Sequence, residues 1–162
     1  PLIQKYDNLL VVHTFSKSRA MAGCRIGYAM GSKQLIQYLN DVKFSFNSYT
    51  MNLPAQVLGT AAVQDAAYFD AITANIKATR ERTKEALTRL GFTFPDAMGN
   101  FIFATHATVP AKEIYEALKE QKIFVRYWDK PRIDNYLRIT IGTEEEMNQV
   151  ITFLESYLPS RN

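Results

Sequence analysis

The segment Asn8-Leu9-Leu10-Val11-Val12-His13 constrains the fold more than any other. It is a short apolar run with no polar face, so as a strand it needs cover on both sides. That is the habit of strands in parallel sheets layered between helices. Almost nothing precedes it that could supply such cover, and the first residue is Pro1 rather than Met. Together these features predict a piece of a longer protein, with the companion strands and helices upstream.

The downstream pattern predicts an α/β chain. Residues 25–30 read as a second strand closed by Gly31, and Ser32 caps a helix over about 33–40. Residues 44–50 are aromatic without periodicity and read as a loop. Asn52 and Pro54 mark the start of a small, apolar, tightly packed helix reaching about Val63. A long helix follows over 66–90, apolar at Phe69, Ile72, Ile76, Ala86, Leu87 and Leu90. Arg80, Glu81, Arg82, Lys84 and Glu85 read as its solvated, ion-paired face. Gly91 is a natural C-cap. Beyond it, strands are expected at 92–94, 100–105, 123–126 and 136–141. Helices are expected from Pro110 to about Gln121 and from Thr143 to about Leu158, the second opened by a Thr143/Glu146 capping box. The expected division is 1–65, the end of a larger sheet domain, and 66–162, a bridging helix with a small α/β domain.

Composition narrows the function. The 19 basic residues against 16 acidic give a net charge of +3 with no basic block, so nucleic acid is not the expected partner. No apolar run approaches the roughly 20 residues that span a bilayer, and no signal-peptide pattern opens the chain, which predicts no membrane partner and a cytoplasmic location. Cys24 is the only cysteine, so no internal disulfide can form, and it reads as a small packing residue. His13 and His106 make no metal motif, and no metal is expected; His13 reads as a core or strand-end histidine.

The chemistry is concentrated in Thr14-Phe15-Ser16-Lys17-Ser18-Arg19-Ala20-Met21-Ala22-Gly23-Cys24-Arg25-Ile26-Gly27-Tyr28. A lysine sits in a small-residue loop after an apolar strand, and a second cation, Arg25, precedes Ile-Gly. This suits an amine that holds an aldehyde as an imine beside a bound phosphate. The stretch 14–23 closely resembles the lysine signature of class II pyridoxal-phosphate aminotransferases, and 25–28 extends the match. Tyr136-Leu137-Arg138-Ile139-Thr140-Ile141-Gly142-Thr143 resembles that family's anion-anchoring strand, and Asn100-Phe101 its Asn-Phe pair. Phe124-Val125-Arg126-Tyr127 looks like the version found in histidinol-phosphate aminotransferases.

The resemblance implies the fold-type I architecture, with this chain as the C-terminal part: the end of the large-domain sheet and the small α/β sandwich domain. It implies pyridoxal 5′-phosphate as cofactor, a small-molecule amino donor such as histidinol phosphate, 2-oxoglutarate as the 2-oxo acid, and a homodimeric whole enzyme. Lys17 would be the catalytic amine and bind the cofactor, with Ser16 and Arg25 on its phosphate and Ser18 as a lesser contributor. Arg138 would anchor the substrate anion, with Arg126 as the second phosphate anchor. This reading requires Lys17 and Arg25 to share a hollow. Arg19 fits neither role and reads as solvated. Asn100 reads as a turn residue, and Tyr28, Phe44, Phe46, Tyr49, Phe101 and Tyr127 carry no assigned chemistry.

The resemblance also implies an Asp on the pyridine nitrogen, a Tyr on the ring hydroxyl and a ring-stacking residue, all upstream of the lysine. Asp7 is too close to Lys17 along the chain to serve. This chain alone is therefore expected to bind cofactor weakly, to be inactive, and to associate through exposed apolar surface. Two other readings fit parts of the pattern. A threonine-phosphate decarboxylase would use the same lysine and two arginines. A non-catalytic interaction module built on 91–162 would have no reason to keep the Lys17 loop.

Overall fold

A computed structural model describes residues 2–161 of the chain; Pro1 lies outside them. The chain divides into two compact units, Pro1–Ala71 and Ile72–Asn162, with the division inside the long helix.

In the first unit, strand β1 (Val11–Thr14) pairs with β2 (Gly27–Met30) in a two-stranded antiparallel ladder. This corrects the expectation of a buried strand in a parallel sheet. β1 is short, antiparallel and largely open to water, with Val12 70% exposed. Its only described sheet neighbour is β2. Between the strands lies a single helical turn, α1 (Phe15–Ser18). Helix α2 (Lys33–Phe46) starts at Ser32, whose hydroxyl accepts from the Leu35 amide. It runs past the expected end near Asn40 and absorbs part of the segment read as a loop, because no glycine or proline occurs between Gly31 and Pro54 to stop it. Helix α3 (Leu53–Gln64) is capped by Asn52, whose side chain accepts from the Ala55 amide at 2.8 Å. It was expected to be tightly packed, yet only Ala55 and Gly59 are buried. The small core of this unit is Phe15, Ile26 and Ala55, with Met21 and Cys24 packed against it. His13 is exposed and stacks on Tyr28 across the ladder at 5.4 Å.

Helix α4 (Ala66–Arg89) begins in the first unit and continues into the second. Gly91 follows it with φ of 85°, the left-handed turn that only glycine adopts freely. The second unit is an antiparallel four-stranded sheet in the order β3 (Phe92–Thr93), β4 (Phe101–His106), β6 (Leu137–Thr140), β5 (Arg126–Tyr127). Helices α5 (Ala111–Glu120) and α6 (Glu144–Tyr157) complete it, α6 opening on the expected Thr143/Glu146 capping box. Ile102 and Ala104 of β4 and Leu137 and Ile139 of β6 join Leu87, Ile114, Leu118 and Leu154 in a continuous core. The alternation of the strands sends Phe101, Phe103 and Arg138 to the opposite face. β5 is shorter than the expected 123–126 strand and starts where that one was to end. The ladder with β6 pairs only Arg126 with Arg138 and Tyr127 with Leu137, and it stops at Tyr127 because β6 begins at Leu137.

The charged face of α4 is a second correction. Arg80 is 5% exposed and Lys84 9%. Arg80 donates through Nε to Glu81 at 2.8 Å and through Nη1 to the Met98 carbonyl at 2.7 Å, while Lys84 Nζ reaches Asp96 at 2.8 Å. The loop before β4 folds over α4, and cations with long apolar stems can be covered so long as their heads find oxygens.

Candidate functional site

The end of β1 and the start of β2 are the same end of one ladder, since Thr14 pairs with Gly27 and the Phe15 amide donates to the Ile26 carbonyl at 3.0 Å. Ser16, Lys17 and Arg25 all spring from this edge. The turn is built locally. Thr14 caps α1, accepting from the Ser16 amide at 3.0 Å and donating to Ser16 Oγ at 2.8 Å, and Ser18 Oγ donates to the Thr14 carbonyl at 3.1 Å. Gly27 permits the close ladder, because a Cβ there would lie 2.9 Å from the His13 carbonyl oxygen. Arg25 sits in the left-handed region at φ 55°, which turns the chain from the Ala22–Cys24 turn into β2.

Lys17 is exposed and its ammonium has no partner among the described residues. Ser16 is half-buried. Arg25 is exposed and folded back on its own turn, with Nη1 donating to the Ala22 carbonyl at 3.1 Å. The three residues are thus brought to one edge, but the expected shared hollow between Lys17 and Arg25 is not formed, as both heads lie in water. Arg19 is a correction of a different kind. In place of the expected solvated side chain, its guanidinium lies over the Phe69 ring at 4.2 Å and the Phe15 ring at 5.4 Å and donates to the Ala62 carbonyl. It ties the lysine turn to the end of α3 and the start of α4.

The second unit brings together the two other predicted residues. Arg126 and Arg138 are direct partners across β5 and β6, and Arg138 also faces Phe103 across β4 and β6. Like charges placed directly opposite repel, and neither arginine makes an ion pair among the described residues. Arg138 Nε is buried with no hydrogen-bond partner among them. Aromatic rings surround the pair. The Arg138 guanidinium lies 5.5 Å from the Phe101 ring and 5.7 Å from the Trp128 ring, and that of Arg126 lies 5.3 Å from Trp128. Phe103 packs edge-on against Trp128 and stacks on Tyr136 at 4.6 Å. The sheet face opposite the core is therefore cationic and aromatic, with donors in excess of acceptors, which suits an anion.

Sequence reasoning assigned nothing to Trp128, Phe103 or Tyr136. The signal was present as period two: Trp128 follows Arg126 by two residues, Tyr136 precedes Arg138 by two, and Phe101 and Phe103 alternate likewise. Asn100 offers its carbonyl, which accepts from the Ile141 amide at 2.8 Å and joins the start of β4 to the chain leaving β6.

Upstream of Phe101, the buried cations of α4 pin the loop. Arg80 Nη1 also reaches the Gly99 carbonyl at 3.2 Å, and Lys84 reaches Glu81 at 3.4 Å. The Lys84 hydrogen bond and charge hold the Asp96 carboxyl below its ordinary range, the Arg80 hydrogen bond does the same for Glu81, and Asp96 in turn raises Lys84. Among the described residues no group of three His, Cys, Asp or Glu is placed to hold a metal ion, and no helix is long and apolar enough to cross a membrane.

The family model for aminotransferase class I and II matches residues 1–154. The chain belongs to this family. A histidinol-phosphate aminotransferase of Lactococcus lactis subsp. lactis is 53% identical over 158 residues, covering 98% of this chain and 44% of the relative. The chain therefore spans less than half the length of that curated relative. Among solved structures, the histidinol-phosphate aminotransferase of Sinorhizobium meliloti in complex with pyridoxal-5′-phosphate aligns with a TM-score of 0.79 at 22% identity, over the whole of this chain and 45% of that one. The L-threonine-O-3-phosphate decarboxylase of Porphyromonas gingivalis aligns with a TM-score of 0.73 at 21% identity, over 97% of this chain and 49% of that one. At such identities the likeness is one of fold, and the aminotransferases and the decarboxylase share it.

Proposed function

We propose that the enzyme carrying this chain is a pyridoxal-phosphate-dependent aminotransferase that moves an amino group between histidinol phosphate, or a related amino compound, and 2-oxoglutarate. The observation that carries the reading is the unpaired Arg126/Arg138 couple, directly opposed across two strands with no described carboxylate between them. Two adjacent guanidiniums match a doubly charged phosphate ester better than a single carboxylate. The 53% identity to a histidinol-phosphate aminotransferase supports the same substrate class.

Lys17 and Arg25 share no hollow within this chain, which spans less than half of the curated relative, so the cofactor reading rests on the family and on the donor set of the lysine edge, which fits the cofactor chemically. That edge offers one free primary amine at Lys17, a hydroxyl at Ser16 that accepts from Thr14 and keeps its own hydrogen to donate, and a guanidinium at Arg25 with most of its N–H groups unused. When bound, pyridoxal phosphate supplies the electron sink for bonds at the substrate α-carbon. Ser16 and Arg25 hold the cofactor phosphate, one as a neutral donor and the other as a fork of charged donors. Lys17 would supply the amine that holds the cofactor, and its nitrogen would take and return the proton at the substrate α-carbon. Arg138 and Arg126 hold the substrate anion and fix its reach. The whole enzyme works in the cytoplasm as a homodimer, and the apolar side chains that α2 and α3 leave exposed, such as Val42, Phe46 and Leu53, support the association.

The test is product analysis on the full-length enzyme. Histidinol phosphate and 2-oxoglutarate should yield one glutamate per donor consumed; release of carbon dioxide from L-threonine-O-3-phosphate, with no glutamate formed from either donor, would instead mean a decarboxylase. Arg126→Gln should raise KM for the phosphorylated donor by about 10- to 100-fold, the worth of lost charged hydrogen bonds. An unchanged KM would remove the phosphate role. The present chain by itself is expected to hold the cofactor weakly and to turn over nothing. A stoichiometric absorbance band near the visible edge, lost in Lys17→Ala, would contradict that expectation.

A further inference from the structure

We propose that Trp128 is a positioning residue of the anion site: its indole braces both guanidiniums and keeps Arg126 and Arg138 aimed at one doubly charged phosphate group. The inference rests on the reading above that these arginines hold the ligand's phosphate. Directly opposed strand residues have their Cβ atoms about 5 Å apart, so two long cations with no anion between them would swing away from each other into water. No described carboxylate restrains them. One ring touches both: Trp128 lies 5.3 Å from the Arg126 guanidinium carbon and 5.7 Å from that of Arg138. Indole is the best of the aromatic partners for a cation. Contact with a ring uses up none of an arginine's N–H donors in hydrogen bonds, so the forks stay available for phosphate oxygens. The brace is itself held, since Phe103 meets Trp128 edge-on at 6.2 Å and is stacked in turn on Tyr136. Preorganising both donors before the ligand arrives lowers the cost of ordering them on binding.

Trp128 is the only tryptophan of the chain, so its emission reports on this site alone. The experiment titrates the intact chain at pH 8 with inorganic phosphate and, at matched ionic strength, with acetate. Fluorescence and phosphorus NMR line width are followed together. The expected result is a saturable change in Trp128 emission with phosphate, absent with acetate, and lost in Arg126→Gln and in Arg138→Gln. By NMR, Trp128→Leu should weaken phosphate binding about tenfold, while Trp128→Phe, which keeps a ring, should stay within about threefold of the parent. Melting temperatures confirm that the variants compared are folded. If phosphate does not bind the parent chain, the anion-site reading fails and this inference with it. If phosphate binds but Trp128 emission does not respond, or a folded Trp128→Leu binds as the parent does, the inference is overturned while the arginine pair stands. Should Trp128→Leu not fold, the emission response of the parent and the near-parental affinity of Trp128→Phe decide it, and a loss in Trp128→Phe equal to that of an arginine variant overturns the bracing role.

Discussion

Replacing Gly91 by alanine tests the junction between α4 and the sheet of the second unit. Gly91 has φ of 85°, and an added Cβ would lie 3.1 Å from Nε2 of the buried His106. That nitrogen bonds the Leu90 carbonyl at 2.8 Å, and Nδ1 accepts the Val109 amide at 3.0 Å, so the ring has no room to retreat without losing a bond. A left-handed backbone costs a non-glycine residue about 1–2 kcal/mol. Alanine recovers about 0.4–1 kcal/mol through its less flexible unfolded chain, and a weakened buried hydrogen bond costs about 1 kcal/mol. The net loss is about 2 kcal/mol. The chain has two units, so the assay must watch the second alone, and the emission of Trp128 does so during urea unfolding. With an m-value of about 1–2 kcal/mol/M, the midpoint should fall by about 1–2 M. Gly91→Asn, which tolerates this backbone better, should lose less. A midpoint for Gly91→Ala within error of the parent would refute both the strain and the His106 contact.

Two further outcomes follow from charge. Asp96 has its pKa lowered by Lys84, so its contribution to stability is complete above the ordinary carboxylate range and is lost as pH falls through the lowered value. Asp96→Asn should therefore destabilise the chain at pH 7 and converge with the parent in acid, measured as urea midpoints from pH 7 to pH 2; a gap that persists unchanged at low pH would exclude the ion pair as its source. The ligand expected at the arginine pair, a phosphate monoester, gains its second charge near pH 6. Affinity for such an ester should rise between about pH 5 and pH 7.5 and then level off, and calorimetric titration that finds a flat or falling profile would count against a site for a dianion.

The parts of this fold that were legible in the sequence are those set by local rules. Ser32, Asn52 and the Thr143/Glu146 box each accept from the amide three residues on, and such caps depend on a few neighbouring residues. Gly91 ends α4 for a reason equally local. What local rules missed were cases in which distant chain decides burial. Arg80 and Lys84 lie on a stretch of alternating charge that resembles a solvated face, and only the return of residues 96–99 over α4 converts them to buried donors. Arg19 is the same case on a smaller scale, because its acceptor at Ala62 is 43 positions away. The apolar run at Leu9 to Val12 is the converse case. Its composition records a need for cover on both faces, whereas the pairing within this chain offers one antiparallel neighbour.

The same contrast separates the two halves of the candidate site. The arginine pair is assembled by cross-strand register within a well-packed unit, so its geometry is decided by contacts the chain contains. Arg138 is held between Phe101 and Trp128 on a sheet whose other face is the continuous core of Leu137, Ile139 and Leu154. The lysine edge is assembled by a two-stranded ladder over a core of three buried residues. Isolated two-stranded ribbons of this kind are marginal without further layers. The turn geometry at Lys17 is nevertheless over-determined locally, by the Thr14 cap, the Ser18 bond and the close approach at Gly27. The backbone is thus set for the amine before its surroundings are, while the heads of Lys17 and Arg25 remain in water. On this argument, stabilising the first unit with added partner surface should change the solvent access of Lys17 far more than its backbone. It should leave the arginine pair, which already has its framework, where it is.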